Sequence, residues 1–260
     1  MSVRMTILGS GSAGNCALVE TEETCVLVDA GFSLRQIRQR LATVGRTPEE
    51  LTGILITHEH SDHVQGLAMI TDRLPTPVYC NRATCEAIER QIGKSLHSHF
   101  FVTGSSFELG DVLVETFTIP HDAQDPVGFM LRTGRGNIGF LTDLGHATKL
   151  VLERVRHAHA LVLESNHDLK LLQDCPRRPW SLKQRILGRH GHLSNEAAAE
   201  AAEQVVSDQL QNLFLGHLSR ECNRPELAYS AVAERLQRIG ASHVSIHVAS
   251  QAVPSPTLHL

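Results

Sequence analysis

Four side chains able to hold a metal ion, His58, His60, Asp62 and His63, stand within six residues of the segment Thr57-His58-Glu59-His60-Ser61-Asp62-His63. They follow directly on Gly53-Ile54-Leu55-Ile56-Thr57, an apolar run that reads as a strand. A loop at the mouth of that strand can turn all four donors onto one centre. Imidazole and carboxylate ligands together suit zinc, and also manganese or iron. The spacing differs from the H-E-x-x-H motif, whose two histidines lie one turn apart on a helix. The chemistry on offer is metal-assisted hydrolysis, in which a cation stabilises developing charge and supplies a nucleophile near neutral pH.

The cluster matches the H-x-H-x-D-H signature of the metallo-β-lactamase superfamily, and further landmarks similar to that family follow in order. Leu27-Val28-Asp29-Ala30-Gly31 resembles its first motif, whose aspartate braces the ligand loop. His121 in Ile119-Pro120-His121-Asp122, Asp143 in Phe140-Leu141-Thr142-Asp143 and His217 in Gly216-His217-Leu218-Ser219 resemble the later ligands. The resemblance implies two divalent ions (zinc, manganese or iron). His58, His60, His121 and Asp143 would hold one, and Asp62, His63, Asp143 and His217 the other. Asp29 would orient a ligand through a hydrogen bond. A single-ion centre is the other arrangement open to these donors. The implied fold is α/β, a four-layer αβ/βα sandwich with the metals where the two sheets meet, expected as one domain over residues 1–260.

Two cations, two aspartates and a bridging hydroxide would leave such a site slightly positive, a field that suits a phosphodiester better than a neutral amide. Two segments point the same way. Leu163-Glu164-Ser165-Asn166-His167-Asp168 and His190-Gly191-His192-Leu193-Ser194-Asn195 resemble motifs of transfer-RNA 3′-processing nucleases. By that resemblance Glu164 orients His192, which protonates the leaving alkoxide, while Asp62 orients or deprotonates the attacking hydroxide. Ser194 and Asn195 could cap a helix and offer N–H groups to a phosphate. Gly9-Ser10-Gly11-Ser12-Ala13-Gly14-Asn15 lacks the features of a P-loop or a dinucleotide loop. It is instead similar to the opening of the YycJ (WalJ) subfamily, which implies a 5′-to-3′ exonuclease with DNA preferred. Asn15 could then reach the scissile phosphate, or serve only the turn.

From Leu169 to His192 the chain carries Lys170, Arg177, Arg178, Lys183, Arg185 and Arg189 against one acid, Asp174. This basic insertion reads either as a track for a phosphate backbone or as a solvated loop. Trp180 within it could pack on a base or anchor the segment. His167 and His190 are weaker candidates for chemistry.

The elements that must position these residues are legible in outline. Short strands are expected at Thr6–Leu8 and Cys25–Val28, and others around 111–119, 127–133 and 137–142. Ser33 can cap a helix that buries Leu34, Ile37 and Leu41 and stops at Gly45. A further helix is expected from Arg82 to Ile92. After residue 149 helices alternate with strands at Ala160–Glu164, Asn212–Gly216 and His243–Val248, with Asn223 and Glu226 as a capping box for the last helix. A strand-rich first half followed by alternation suggests two packed sheets with helices outside.

With 42% hydrophobic residues among 260, the chain can bury a large core, and no apolar run is long enough to span a bilayer. The N-terminus lacks a signal-peptide pattern, and six scattered cysteines read as reduced thiols, so a cytoplasmic protein is expected. A formal charge of −4 and 4% aromatic residues do not advertise a general nucleic-acid binder, yet DNA or RNA is the partner the motifs imply. Rival readings are a thioester or lactone hydrolase on the same scaffold, and a non-catalytic nucleic-acid-binding module stabilised by its metals.

Overall fold

In a computed structural model, residues 2–260 are described. The first sheet comprises β1 (Arg4–Gly9), β2 (Cys16–Glu20), β3 (Cys25–Val28), β4 (Gly53–Leu55), β5 (Val78–Cys80) and β6 (Ser98–Phe100). The second comprises β7 (Ser106–Leu109), β8 (Val112–Thr118), β9 (Val127–Arg132), β10 (Asn137–Leu141), β11 (Ala160–Glu164), β12 (Asn212–Gly216) and β13 (Ser245–Val248). A last strand, β14 (Leu258–His259), returns to pair with β1, giving the orders β14-β1-β2-β3-β4-β5-β6 and β13-β12-β11-β10-β9-β8-β7.

Strict alternation of side chains along each strand builds three apolar layers from two sheets. In β3, Val26 and Val28 face the opposite sheet while Leu27 faces helices. In β11, Ala160 and Val162 face inward and Leu161 and Leu163 outward. The outer face of the first sheet is covered by α1 (Leu34–Ala42), α3 (Leu67–Arg73) and α4 (Arg82–Ile92), with the short α2 (Ser61–Val64) lying between α1 and α3 in sequence. The second sheet is covered by α5 (Lys149–Val155), α8 (Asn195–Val205) and α9 (Pro225–Arg238). Each fully buried Val or Leu in these layers contributes about 1.5–3 kcal/mol, so the sandwich can carry a strained site at its edge. The result is the four-layer αβ/βα arrangement.

Each sheet begins antiparallel and turns parallel, at β3–β4 and at β10–β11. Ligands in open α/β sheets collect beyond the carboxyl ends of such strands. Asp29, His58, Asp143 and His217 all lie just past the ends of β3, β4, β10 and β12, and Glu164 ends β11. The parallel register sets Leu141 beside Leu163 and Leu163 beside Leu215, which carries Asp143 and His217 to either side of Glu164.

Several expectations need correction. Cys16–Glu20 forms a buried strand that the glycine-rich loop before it obscured, and β5, β6 and β7 were likewise passed over. The basic insertion is not irregular: it contains α6 (Leu169–Asp174) and α7 (Trp180–Leu187). Asn223 does not cap α9. Arg224 holds that position with Pro225 at the first turn, and the Asn223 amide is committed to Asn195 and to the Ser165 carbonyl.

Candidate metal centre

Three imidazoles, His58, His60 and His121, bring one ring nitrogen each to within 4.8 Å of one another. A carboxylate oxygen of Asp62 and ring nitrogens of His63 and His217 converge equally closely, and Asp143 joins His58 and His63 in a third group that links the two. Asp143 Oδ2 is 3.1 Å from His63 Nε2, and its Oδ1 is 3.2 Å from His217 Nδ1 and 3.9 Å from His121 Nε2. It therefore stands between the two trios. A pair of imidazole nitrogens from His60 and His121 faces each other at 3.2 Å, and buried His58 Nε2 has no hydrogen-bond partner among the described residues. Buried polar atoms are rarely left so. The donor set fits divalent metal.

The backbone is bent to achieve this. Among the described residues other than glycine, Asp29, Asp143 and His217 have positive φ, at 61°, 58° and 54°. All three end strands at the site. Such conformations cost about 1–3 kcal/mol each and concentrate where function demands them. Gly31 serves the same end by close approach: a Cβ there would lie 1.7 Å from the Asp62 carbonyl oxygen.

His63, His121 and His217 are each oriented by a partner on one ring nitrogen. His63 donates from Nδ1 to Asp29 Oδ2 at 2.7 Å, and Thr57 ties Asp29 Oδ1 to the backbone of the ligand loop at 2.9 Å. His121 donates from Nδ1 to the Gly191 carbonyl at 3.1 Å. Glu164 is the hub. Its Oε1 accepts from His217 Nδ1 and from His192 Nδ1, both at 2.7 Å, and its Oε2 accepts the N–H groups of Leu144 and Leu193 at 3.0 Å. Such partners fix the orientation of His63, His121 and His217, and in the neutral ring leave the outer nitrogen as a lone pair.

The electrostatics follow from crowding. Burial opposes charge on His63 and His217, yet the surrounding carboxylates, Asp143 foremost, push both well above the ordinary imidazole value. Burial and the neighbouring imidazoles hold His58 well below it. Burial would raise Glu164, but His192 and His217 hold it down at about 2. His192 is itself raised despite burial, through Glu164. Its side chain is 21% exposed and lines a cavity of about 190 Å³ together with His60, Asp62, Asp143 and His217.

Three expected substrate contacts are not placed for that role. Asn15 is buried. Its Oδ1 accepts from Ser10 Oγ and the Gly11 N–H, and its Nδ2 lies 3.3 Å from Asp62 Oδ2 and 3.1 Å from His63 Nε2. Ser194 Oγ caps α8 by accepting the Ala197 N–H. Asn195 is 1% exposed, with its amide spent on Ser165 and Asn223 and its N–H on the His167 carbonyl. Neither Ser194 nor Asn195 lines the cavity.

Residues the sequence did not single out do reach the site. Ser10 Oγ accepts the His217 N–H at 2.8 Å, and the Asn166 amide donates to the His217 carbonyl at 2.9 Å. Both sit inside motifs already noted, but their partners are distant in the chain. His167 is buried and neither ring nitrogen finds a partner among the described residues. Burial holds it at about 4 against an ordinary 6.5. As pH falls from 6.5 towards 4, the unfolded chain takes up a proton there that the folded chain refuses, so stability should decline across that window. His167→Leu should flatten this limb by on the order of 2–3 kcal/mol in urea titrations; an unchanged pH slope would show His167 ionising freely in the fold.

α7 forms one wall of the cavity through Arg178, just before it, and Leu182, Arg185 and Ile186. Trp180 is 63% exposed and, by helical periodicity, points to the opposite side. All six thiols are free, and Cys222 packs with Leu172 and Cys175 rather than against the donors.

A sandwich of this form with a histidine–aspartate cluster at its edge defines the class, and the comparisons agree. A family model described as a β-lactamase superfamily domain matches residues 24–213. The chain is 36% identical over 242 residues to exodeoxyribonuclease YycJ of Bacillus anthracis, covering 92% of this chain and 91% of that protein. It is 38% identical over 237 residues to exodeoxyribonuclease WalJ of Streptococcus pneumoniae, covering 90% and 88%. Among solved structures, the metallo-β-lactamase fold protein YhfI from Bacillus subtilis superposes with a TM-score of 0.75 at 15% identity, over 100% of this chain and 99% of that one. The chain belongs to the metallo-β-lactamase superfamily and, within it, to the YycJ/WalJ family.

Proposed function

We propose that this protein is a phosphodiesterase with two divalent cations (zinc, manganese or iron) that acts as an exonuclease on DNA from the 5′ end. The observation that carries the reading is the shared Glu164 oxygen. One carboxylate orients His217, in the donor cluster, and His192, in the cavity wall, through bonds of equal length. That arrangement couples a metal ligand to a proton donor, which is what a poor alkoxide leaving group requires. The names of the two curated relatives support the choice of DNA.

His58, His60 and His121 would hold one ion and Asp62, His63 and His217 the second, with Asp143 between them and Asp29 behind His63. A pair of divalent cations supplies a nucleophile at neutral pH and stabilises charge building on the phosphoryl oxygens. The protein's own residues do the rest. Asp62 steers the attacking oxygen, and His192, with Nδ1 committed to Glu164, offers its other nitrogen to the departing one. Asn15 and Ser10 hold Asp62 and His217 rather than substrate. Asn15→Ala should therefore weaken retention of the second ion by about 10–100-fold, read by titrating metal into the apo protein; undiminished affinity would refute the brace. No described helix is long and apolar enough to cross a membrane. The free thiols suit the reducing cytoplasm.

The direct test is incubation with 5′- and 3′-labelled DNA and RNA under manganese or zinc, with Asp143→Ala as control. Stepwise loss of 5′ nucleotides from DNA is expected. Turnover of a thioester or lactone with none of a phosphodiester would overturn the reading.

A further inference from the structure

The basic insertion is a weaker phosphate track than its composition suggests, because four of its six cations are already matched. Arg178 Nε donates to Glu221 at 3.0 Å, Arg177 lies 3.5 Å from the same carboxylate, and Arg185 pairs with Asp122. Lys183 is buried and donates to the Gln173 carbonyl at 2.6 Å. A guanidinium held by a carboxylate gains less from a phosphate than a free one does.

Further free guanidinium groups lie outside it. Ser219 lines the metal-side cavity and also a groove of about 600 Å³ on its far side. That groove runs between residues 218–225 and 248–252, over Leu218, Pro225, Val248 and Ala249. Arg220 and Arg224 border it, both exposed. Neither forms an ion pair among the described residues, and the Arg224 guanidinium donates only to the adjoining Asn223 carbonyl, at 2.6 Å. The opposite wall is anchored to the glycine-rich loop at the metals. Gln251 accepts the Ala13 N–H and donates to the Gly14 carbonyl, both at 2.8 Å.

We propose that this groove binds the nucleotides next to the scissile one in single-stranded DNA, with backbone phosphates on Arg220 and Arg224 and a base against the apolar floor. The inference rests on the nuclease reading and adds the course of the strand. Two observations support it. The groove continues the catalytic cavity across a shared residue, and its unmatched positive charge complements a polyanion. An apolar floor accepts any base, as a sequence-tolerant exonuclease needs.

The test compares the unaltered protein with Arg220→Ala, Arg224→Ala and the double variant on two substrates. One is a single strand of about 12 nucleotides, the other bis(p-nitrophenyl) phosphate, which is too small to enter the groove from the metals. The ratio of KM for the strand to KM for the small diester should rise roughly tenfold in the double variant. The dependence of log KM on log salt should become shallower by about 0.7 for each arginine removed. Equal losses on both substrates, or an unchanged salt slope, would overturn the groove. So would an Arg178→Ala variant that shows the length-dependent loss in place of Arg220→Ala. If the unaltered protein cleaves the small diester and no DNA, the nuclease reading itself fails and the groove falls with it.

Discussion

Asp143→Ala should strip the protein of divalent metal and of turnover together. Its carboxylate stands between the two donor trios, with oxygens 3.1 Å from His63 and 3.9 Å from His121. Asp143 is buried, and its carboxyl is driven well below the ordinary value: burial opposes the charge, but His217, His63 and His58 outweigh it. Removing the anion leaves buried imidazoles crowded against one another, with Asp62 as the one carboxylate remaining among the proposed ligands. Loss of several kcal/mol of transition-state stabilisation corresponds to at least roughly a thousandfold fall in turnover. The backbone complicates alanine, since residue 143 sits at φ 58°. Asn tolerates that conformation better, so Asp143→Asn separates loss of charge from strain. Elemental analysis of both purified variants is the measurement. A full complement of metal in Asp143→Asn would remove Asp143 from the centre.

His192→Ala should leave the metal in place and slow turnover by about 10²–10⁴. The imidazole lines the cavity and its Nδ1 is committed to Glu164, which keeps it protonated to higher pH than a free imidazole. A proton donor matters in proportion to how poor the leaving group is. The loss should therefore be large for DNA and small for a p-nitrophenyl diester, whose phenolate departs unaided. Equal losses on the two substrates would deny His192 the donor role, and loss of metal would make it a ligand. Glu164→Gln should behave differently from His192→Ala, because the same oxygen also holds His217. Metal affinity and turnover should fall together in that variant.

Much of the metal centre was legible before any fold was known. The cluster from His58 to His63 is compact enough for local chain geometry to decide its meaning. The isolated candidate ligands His121, Asp143 and His217 are recognisable through their neighbours, and the structure draws all of them to one edge. The helix Arg82–Ile92 falls at its expected bounds, because caps and apolar periodicity act within a few residues, whereas the Asn223 cap expected for Pro225–Arg238 does not form. Three-residue strands such as Val78–Cys80 carry too little periodicity to stand out.

What sequence alone determined was whatever neighbouring residues decide together: the ligand loop, the strand alternation, the ends of some helices and the donor types that suit a metal. The tertiary structure decided where hydrogen bonds and charges end up. Asn15 meets Asp62 47 positions away, and Ser10 meets His217 across 207, which makes the glycine-rich loop a brace for the donor cluster. The insertion is less basic in space than in sequence, because Asp122 and Glu221, which pair with three of its arginines, lie outside its span. Hydrogen bonds and ion pairs act over a few ångströms of space, and only packing of the two sheets sets which distant residues come within that reach.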